Sequence, residues 1–326
     1  MKFPQRRQFL HLAAGAAVLP AMSRIGWAQV YPSRPVRILV GFTAGSGPDI
    51  VARLIGQWLS ERLGQQVLIE NRPGGASNIA TEAVVRSAPD GYTLLLVTSG
   101  NAVNASLYDR LSFNFIRDIA PVAAITRTPH VMEVHPSFPA RTVPELITFA
   151  KAKPGKVTLA SAGNGSPGHL AGALLRMMVG IDLTHVPYRG ASQAVTDLIG
   201  AQVDVAIVTL AASIEQIRAG KLRPIAMTTE TRLELLPDLP TVSEFVPGFE
   251  ASGWLGIGAP SGTPSEVIAR LNGEINAGLA DGVLQARFAD LGLTQIIASP
   301  ADFATLIVAE TDKWAKVVKF AGIKPD

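Results

Sequence analysis

Buried-type strands alternate with amphipathic helices along most of the chain. Residues 36–42 (VRILVGF) are a run of mainly apolar, β-branched residues, which predicts a buried strand. Beyond it, apolar residues recur at helical spacing from Ile50 to Leu59. Similar strand patterns follow at 66–71 and 92–98, with a helical pattern at 78–86 between them. Strand and helix in this alternating order predict right-handed βαβ units and a parallel sheet, so we predict an α/β fold.

A small, glycine-rich loop joins the first predicted strand to the first predicted helix. Its residues are Thr43, Ala44, Gly45, Ser46 and Gly47. Pro48 and Asp49 then occupy the first helical turn. Backbone N–H groups at a helix start have no partner inside the helix and lie at the positive end of its dipole. The loop therefore predicts an anion site, although an ordinary βα turn would have the same sequence pattern.

The same motif of a small, glycine-rich loop followed by a helix with proline at its start recurs after the predicted strand 157–161. Its loop residues are Ala162, Gly163, Asn164, Gly165 and Ser166. Pro167 again takes the first helical position, and His169 lies in the first turn. We predict that the two loops face each other across a cleft. Chance repetition, in a chain with 30 Gly and 23 Pro, is the alternative.

Two predicted crossing points divide the chain into domains. Pro129 separates short strand patterns at 121–126 and 131–134, and a strand at 252–259 returns towards the first half. We predict a first domain of residues 29–128 plus 254–326 and a second domain of residues 129–253. Ser99 and Asn101 follow the strand at 92–98, and ligands of open α/β sheets bind beyond the carboxyl ends of the strands.

The first 28 residues have the layout of an export signal. Lys2, Arg6 and Arg7 precede a modest apolar run at 10–22, and no acidic residue occurs among them. The letters RRQFL at 6–10 resemble a twin-arginine signal. Small residues at positions 26 and 28 predict cleavage after Ala28 and a periplasmic location. A basic N-terminal helix of the fold is the alternative.

Removal of this segment changes the charge of the chain. It holds four of the 29 Lys and Arg residues, which leaves 25 basic against 26 acidic residues and a net charge of −1. No basic patch then favours nucleic acid or a membrane surface. The apolar content of 48% is enough for a large core, and no stretch after residue 28 approaches the roughly 20 apolar residues of a membrane span.

The sequence offers little for metal binding or covalent catalysis. It contains no Cys, and no two histidines after residue 28 have metal-ligand spacing. Residues 163–168 read G-x-G-x-x-G between a strand and a helix, as in dinucleotide-binding proteins. The acid that would hold the ribose, Asp182, precedes its strand instead of ending it. An exported NAD(P)-type oxidoreductase is therefore the alternative from another class of protein.

Short motifs spread over nearly all of residues 30–326 resemble the Bug family of periplasmic solute-binding proteins, the receptors of tripartite tricarboxylate transporters. The motifs are YPSRPVRI at 31–38, PDIVAR at 48–53, ENRPG at 70–74, APDGYTL at 88–94, VPYRG at 186–190, QVD at 202–204, LPTVSE at 239–244 and APSGTP at 259–264. Each motif alone is weak, but the ordered set is specific. The chain is thereby identified as a member of this family.

The resemblance implies a two-domain periplasmic-binding-protein fold of type II, with a ligand pinched between the two loops. The ligand would be a small carboxylate or related organic solute, and the partners would be membrane transporter subunits. One departure occurs where the family usually has Pro-Gly-Gly and this chain has Ala44, Gly45 and Ser46. The expected ligand-binding residues are Phe42, Thr43, Ala44, Gly45, Ser46, Asp49, Ser99, Asn101, Ser161, Ala162, Gly163, Asn164, Gly165, Ser166, His169 and Asp204.

Three functions remain open at this point. The one we favour is capture of a carboxylate for a transporter by a monomer that needs no cofactor, no metal and no catalytic residue. The second is the oxidoreductase described above. The third is a sensor with the same fold and site but a different docking surface. Asp49 and Asp204 belong to the site if the fold brings them together; otherwise Asp49 is a helix-dipole partner and Asp204 a strand-edge residue.

Overall fold

The computed structural model describes residues 31–108 and 110–325 and contains two β-sheets. The strands, in chain order, are β1 (Val36–Val40), β2 (Val67–Asn71), β3 (Thr93–Thr98), β4 (Ile119–Thr128), β5 (His130–Val134), β6 (Val157–Ser161), β7 (Leu183–Pro187), β8 (Val205–Thr209), β9 (Arg223–Met227), β10 (Gly253–Pro260) and β11 (Thr294–Gln295). The first sheet has the order β11-β4-β10-β3-β1-β2, and the second has the order β7-β6-β8-β5-β9. The predicted α/β class is confirmed.

Helices cover both sheets. They are α1 (Gly47–Leu63), α2 (Asn78–Val85), α3 (Ser99–Leu107), α4 (Phe115–Asp118), α5 (Val143–Ala152), α6 (Pro167–Val179), α7 (Ala191–Ile199), α8 (Leu210–Arg218), α9 (Ser265–Leu279), α10 (Gly282–Asp290) and α11 (Pro300–Ala321). The apolar stripe of α1 packs Val51, Ile55 and Leu59 onto β1, as its sequence periodicity predicts. We call each sheet with its helices a lobe.

Each lobe combines parallel βαβ strands with antiparallel strands. In the first lobe β1 pairs in parallel with β2 and β3, whereas β10 is antiparallel to β3 and β4. In the second lobe β6 is parallel to β7 and β8, and β5 is antiparallel to β8 and β9. The parallel pairing predicted for the first three strands is therefore confirmed, and both sheets also contain antiparallel pairs. The antiparallel members include the strands at the crossings between the lobes, β4, β5 and β10.

The lobes are connected where Pro129 separates β4 from β5 and where the chain enters β10. Gly253 at the start of β10 pairs with Thr128 at the end of β4, so the two crossings lie side by side. Glu250, just before β10, forms ion pairs with Arg127 and Lys313, each at 3.0 Å. Burial would raise the pKa of Glu250, but these cations and a hydrogen bond from Ser252 outweigh burial and hold the pKa below its usual value.

Helix α11 runs from one lobe into the other. Phe303 and Ile307, in its first half, pack in a core of the first lobe, whereas Trp314 and Val317 pack in the core of the second. Between them, Glu310 accepts hydrogen bonds from the indole N–H groups of Trp254 and Trp314. The division into domains at 129–253 stays a prediction, and the end of the chain contributes to both cores.

The expected export signal at residues 1–28 lies outside the described residues. Within the described part, no helix is long and apolar enough to cross a membrane.

Candidate functional site

Loop 1, residues 42–46, leaves β1 and turns tightly into α1. The N–H of Ser46 donates to the carbonyl of Thr43 at 3.2 Å, and the N–H of Ile50 donates to the carbonyl of Ser46 at 3.0 Å. Gly45 has φ +80°, a left-handed conformation that a side chain would strain. The glycine at this position is therefore required by the turn.

Loop 2, residues 162–166, repeats this geometry 120 positions later. The N–H of Ser166 donates to the carbonyl of Gly163 at 3.2 Å, and the N–H of Leu170 donates to the carbonyl of Ser166 at 3.0 Å. Gly165 has φ +67° and corresponds to the left-handed glycine of loop 1. The two loops therefore have the same backbone geometry. Chance repetition of glycine and proline in the sequence would not by itself produce this agreement.

The buried carboxylate of Asp49 fixes the conformation of loop 1 through hydrogen bonds. Asp49, which is 1% exposed, accepts hydrogen bonds from the N–H of Gly45 at 2.8 Å, the Arg53 guanidinium at 2.9 Å and the Asn71 amide at 2.8 Å. The Asn71 amide also donates to the carbonyl of Phe42 at 3.0 Å. Burial would raise the pKa of Asp49, but the bonds from Arg53, Gly45 and Asn71 outweigh burial and hold the pKa below its usual value. Asp49 therefore shapes the loop from inside it.

In loop 2 the imidazole of His169 has the role that the Asp49 carboxylate has in loop 1. The N–H of Gly165 donates to Nδ1 of His169 at 3.0 Å, so this nitrogen is unprotonated. The ring of His169 stacks on His185 with 3.6 Å between centroids. His185 Nε2 lies 2.7 Å from the hydroxyl of Ser161, and burial together with the charge of Arg176 lowers the pKa of His185. The lowered pKa favours the neutral form of the His185 imidazole at pH 7.

The internal bonds determine which backbone donors remain for a ligand. We expected the N–H groups of loop 1 to be free, but those of Gly45 and Ser46 are used inside the loop. The N–H groups of Ala44, Gly47 and Asp49 donate to no other described residue. Two of these donors, Gly47 and Asp49, lie in the first turn of α1, where the helix dipole favours an anion, and Ala44 lies in the loop before it.

Loop 2 lies against the first lobe. A Cβ at Gly165 would stand 3.5 Å from a methyl group of Leu107 in α3. Ala162 and Gly163 are partly exposed, and the Asn164 side chain donates to the carbonyl of Lys324 at 3.0 Å. One donor of the Asn164 amide is therefore used in a hydrogen bond within the protein. That the two loops face each other across a cleft stays a prediction.

The two candidates that follow β3 have different positions. The Ser99 hydroxyl lies 3.6 Å from the Cβ position of Gly253, which places it at the crossing between the lobes. Asn101 is 2% exposed; its side chain accepts from the N–H of Thr98 and donates to the hydroxyl of Thr81. Because this capping box uses the amide, Asn101 supports α3 and does not point a free group at a ligand.

Asp204 lies away from both loops. It precedes β8, and its carboxylate accepts from the N–H and hydroxyl of Thr158, at 2.8 and 2.9 Å. Thr158 is near the start of β6, whereas loop 2 follows the end of that strand at Ser161. The structure does not bring Asp204 and Asp49 together, and Asp204 bonds to Thr158 at the end of the strands opposite loop 2.

One segment beside loop 1 was missed by the sequence analysis. Residues 74–77 all have positive φ, including Ala76 at +51° and Ser77 at +76°. A Cβ at Gly41 would stand 2.0 Å from the Ser77 hydroxyl oxygen, so Ser77 packs directly against the base of loop 1. Left-handed Ala and Ser residues leave no signal in a single sequence, because their usual conformation is extended or helical.

The geometry does not favour a dinucleotide site at residues 163–168. Asp182 pairs with Arg176 at 3.2 Å and precedes β7, at the strand end opposite loop 2. Gly168 has a packing role, because a Cβ there would stand 2.0 Å from the carbonyl of Ile207. Among the described residues, no group of three or more His, Asp or Glu side chains is placed to hold a metal ion.

Two α/β lobes, with neighbouring crossings and a copied glycine-rich loop after a strand of each, define the class of periplasmic binding proteins. The comparisons with known proteins agree. Residues 51–323 match the model of the tripartite tricarboxylate transporter family receptor. The chain therefore belongs to this family of solute-binding receptors.

Individual relatives cover almost the whole chain. Protein BugT of Bordetella pertussis is 36% identical over 300 residues, which are 91% of this chain and 92% of that protein. A structure of R. palustris Rpa4515 with adipate is 37% identical, with a TM-score of 0.76 over 91% of this chain and all of that one. MatC from Rhodopseudomonas palustris with bound malate is 30% identical, with a TM-score of 0.71 over 88% of this chain and all of that one.

Proposed function

We propose that this protein captures a small organic carboxylate between loops 1 and 2 outside the cytoplasm and delivers it to a tripartite-type membrane transporter, without catalysing a reaction. The observation that carries the proposal is the duplicated loop. A hydrogen bond to Asp49 fixes its conformation in one lobe, and a hydrogen bond to His169 fixes it in the other. The preformed loop leaves unpaired N–H donors at a helix start, which suits a carboxylate. Adipate and malate in two solved relatives support this class of ligand.

The strength of such a site follows from its donors. A hydrogen bond to a charged group contributes roughly 1.5–3 kcal/mol. Three such donors in loop 1 and at the start of α1 can therefore supply much of the about 8 kcal/mol that corresponds to micromolar binding. The lobes would close over the ligand and exclude water, which strengthens each of these bonds.

The proposal predicts binding of a dicarboxylate and not of its uncharged analogue. Isothermal titration of the purified protein is expected to give a dissociation constant near or below the micromolar range for adipate or malate. Adipamide, which has the chain length of adipate without its charges, is the matched control and is expected to bind at least about tenfold more weakly because its hydrogen bonds are not charge-assisted. Equal affinity for adipamide, or binding of NAD alone, would contradict the proposal.

Delivery to a transporter is tested separately. Cells in which this chain is deleted are expected to lose uptake of the radiolabelled carboxylate that the protein binds, and to regain it when the gene is restored. Unchanged uptake together with tight binding would favour the sensor function over the transport function.

A further inference from the structure

The hydroxyls of Ser46 and Ser77 are buried beside loop 1, and neither makes a hydrogen bond to another described residue. Ser77 itself is only 1% exposed. A buried hydroxyl without a partner costs free energy, so natural structures retain few of them. Both occur beside the proposed binding loop, which indicates that they have a use there.

Loop 2 shows what the Ser46 hydroxyl does in the other copy of this geometry. Ser166 corresponds to Ser46 by the 120-residue shift, and its hydroxyl accepts from the N–H of His169 and donates to the hydroxyl of Ser161 at 3.3 Å. Ser46 has the same extended backbone, with φ −72° and ψ 160°, but its side chain does not cap its helix. Loop 2 is therefore satisfied internally and loop 1 is not.

Ser77 supplies the second hydroxyl of loop 1 from a different segment. The counterpart of Ser161 in loop 1 is Gly41, which has no side chain. The Ser77 oxygen lies 2.0 Å from where a Cβ on Gly41 would be, close to the place that the Ser161 hydroxyl occupies in loop 2. By this equivalence the Ser46 and Ser77 hydroxyls point to the same region beneath loop 1.

The backbone of Ser77 is held in an unusual conformation for this arrangement. Its φ of +76° is left-handed, and it follows Ala76 at +51°. Such residues cost on the order of 1–3 kcal/mol each and persist where the surroundings fix them, often at ligand sites. Here Asn104 donates to the carbonyl of Ala76 and Thr81 donates to the carbonyl of Ser77, so the turn is fixed from the helix side.

We propose that the Ser46 and Ser77 hydroxyls, which make no hydrogen bond to each other, both donate a hydrogen bond to an oxygen of the carboxylate bound at loop 1. This inference rests on the proposed function and names the side chains that recognise the carboxylate at the first lobe. The unpaired N–H groups of Gly47 and Asp49 would bind the same carboxylate from the helix start. Ser46 and Ser77 are then specificity-determining residues of loop 1, whereas Ser161 and Ser166 hold loop 2 in shape.

The test compares four variants with the wild type by titration with adipate and malate and by thermal unfolding without ligand. Ser46→Ala and Ser77→Ala are each expected to lower the affinity about tenfold or more, because a charge-assisted bond is lost. Their melting temperatures are expected to stay unchanged or rise, because an unpaired buried hydroxyl is removed. The double variant is expected to bind more weakly than either single one, since each hydroxyl makes its own hydrogen bond to the carboxylate.

Ser77→Gly separates the hydroxyl from the backbone. Glycine adopts φ +76° without strain, so this variant is expected to melt a few degrees above Ser77→Ala while binding equally weakly. Wild-type affinity in Ser77→Ala with weak binding in Ser77→Gly would assign the effect to backbone shape and overturn the proposal. Wild-type affinity in both alanine variants would assign the hydroxyls to a structural water and would also overturn it.

Failure of the proposed function gives a different result. If the wild type binds neither adipate nor malate nor any other carboxylate in the panel, that function fails and the role of the two serines fails with it. If the wild type binds and the serine variants bind equally well, only the role of the serines fails. As the matched control, Ser166→Ala is expected to lower the melting temperature of the free protein, since its hydroxyl makes internal bonds.

Discussion

Replacing Asp49 by alanine is expected to unlock loop 1 and to lower the affinity for the carboxylate ligand by about a hundredfold, the equivalent of two lost charge-assisted hydrogen bonds. The buried carboxylate holds the N–H of Gly45 and the amide of Asn71, and without it both donors lose their acceptor. The loop then no longer presents its remaining donors in a fixed arrangement. Isothermal titration with adipate or malate measures the loss.

The same substitution is expected to reduce the free energy of unfolding by about 2–4 kcal/mol, the range for breaking a buried, hydrogen-bonded ionic group. Arg53 contributes little of this, because its side chain is 53% exposed and the ion pair is screened by solvent. Denaturant unfolding with and without a saturating ligand separates the two effects. A variant that folds but does not bind is the expected outcome.

Asp204→Ala is the matched control, because Asp204 also accepts hydrogen bonds from backbone and side chain but lies at the end of the strands opposite loop 2. The loss of its two bonds from Thr158 is expected to lower stability by about 1–3 kcal/mol and to leave the ligand affinity unchanged. Tight binding by Asp49→Ala, or loss of binding by Asp204→Ala, would contradict the role assigned to Asp49.

The contribution of Asp49 to stability depends on pH in a defined direction. The pKa of Asp49 is lowered in the folded protein, so its contribution to stability is fully present above the ordinary pKa of a carboxyl group, about 4. That contribution is lost as the pH falls through the lowered value. Between pH 8 and pH 5, the hydrogen bonds to Asp49 are therefore expected to stay intact.

Glu133→Gln is expected to stabilise the protein more and more as the pH rises. Glu133 lies in β5 with none of its surface exposed, and neither of its oxygens makes a hydrogen bond of ordinary geometry to a described residue. Burial raises the pKa of Glu133 to about 8, and the nearby Ser213 hydroxyl acts against this shift only in part. The folded protein therefore keeps a proton on Glu133 at neutral pH that the unfolded chain releases.

The direction in which stability changes with pH follows from proton binding to Glu133. A raised pKa in the folded state means that unfolding releases a proton between about pH 4.5 and pH 8, so the stability of the wild type falls across this window. Glutamine has nearly the same shape and does not titrate. The variant is expected to match the wild type most closely near pH 4.5 and to exceed it by about 2–4 kcal/mol at pH 8.

Urea unfolding at several pH values measures this difference. Glu215→Gln, an exposed carboxylate on α8 in the same lobe, is the control and is expected to change stability by less than about 0.5 kcal/mol at every pH. A difference between the Glu133 variant and the wild type that is constant with pH would show that packing, and not the proton, sets the effect.

The backbone of the site was predictable from the sequence, because glycine and proline at fixed places next to a strand and a helix leave few conformations. Loops 1 and 2 were found this way, and the structure shows them as copies. The antiparallel strands β4 and β10 were harder to predict, since the pairing of strands far apart in sequence has no local signal.

The roles of individual side chains were less predictable. Asp49, Asn101 and Asp204 were all polar residues near strand ends or helix starts, but each is bonded within the protein. Whether a polar side chain serves the fold or a ligand depends on partners that come from distant segments, such as Asn71 for Asp49. Ser77 was missed for the same reason, because its importance comes from its contact with Gly41.

Helix α11 has a consequence for the order in which the chain folds. Trp314, Val317 and Ile323 belong to the core of the second lobe, although the sheet of that lobe ends at Met227. These core residues are synthesised after all the strands of that lobe. The core of the second lobe is therefore incomplete until residues 314–323 have been synthesised and have packed against it. A ribosome-stalled chain ending before Pro300 would expose that apolar surface.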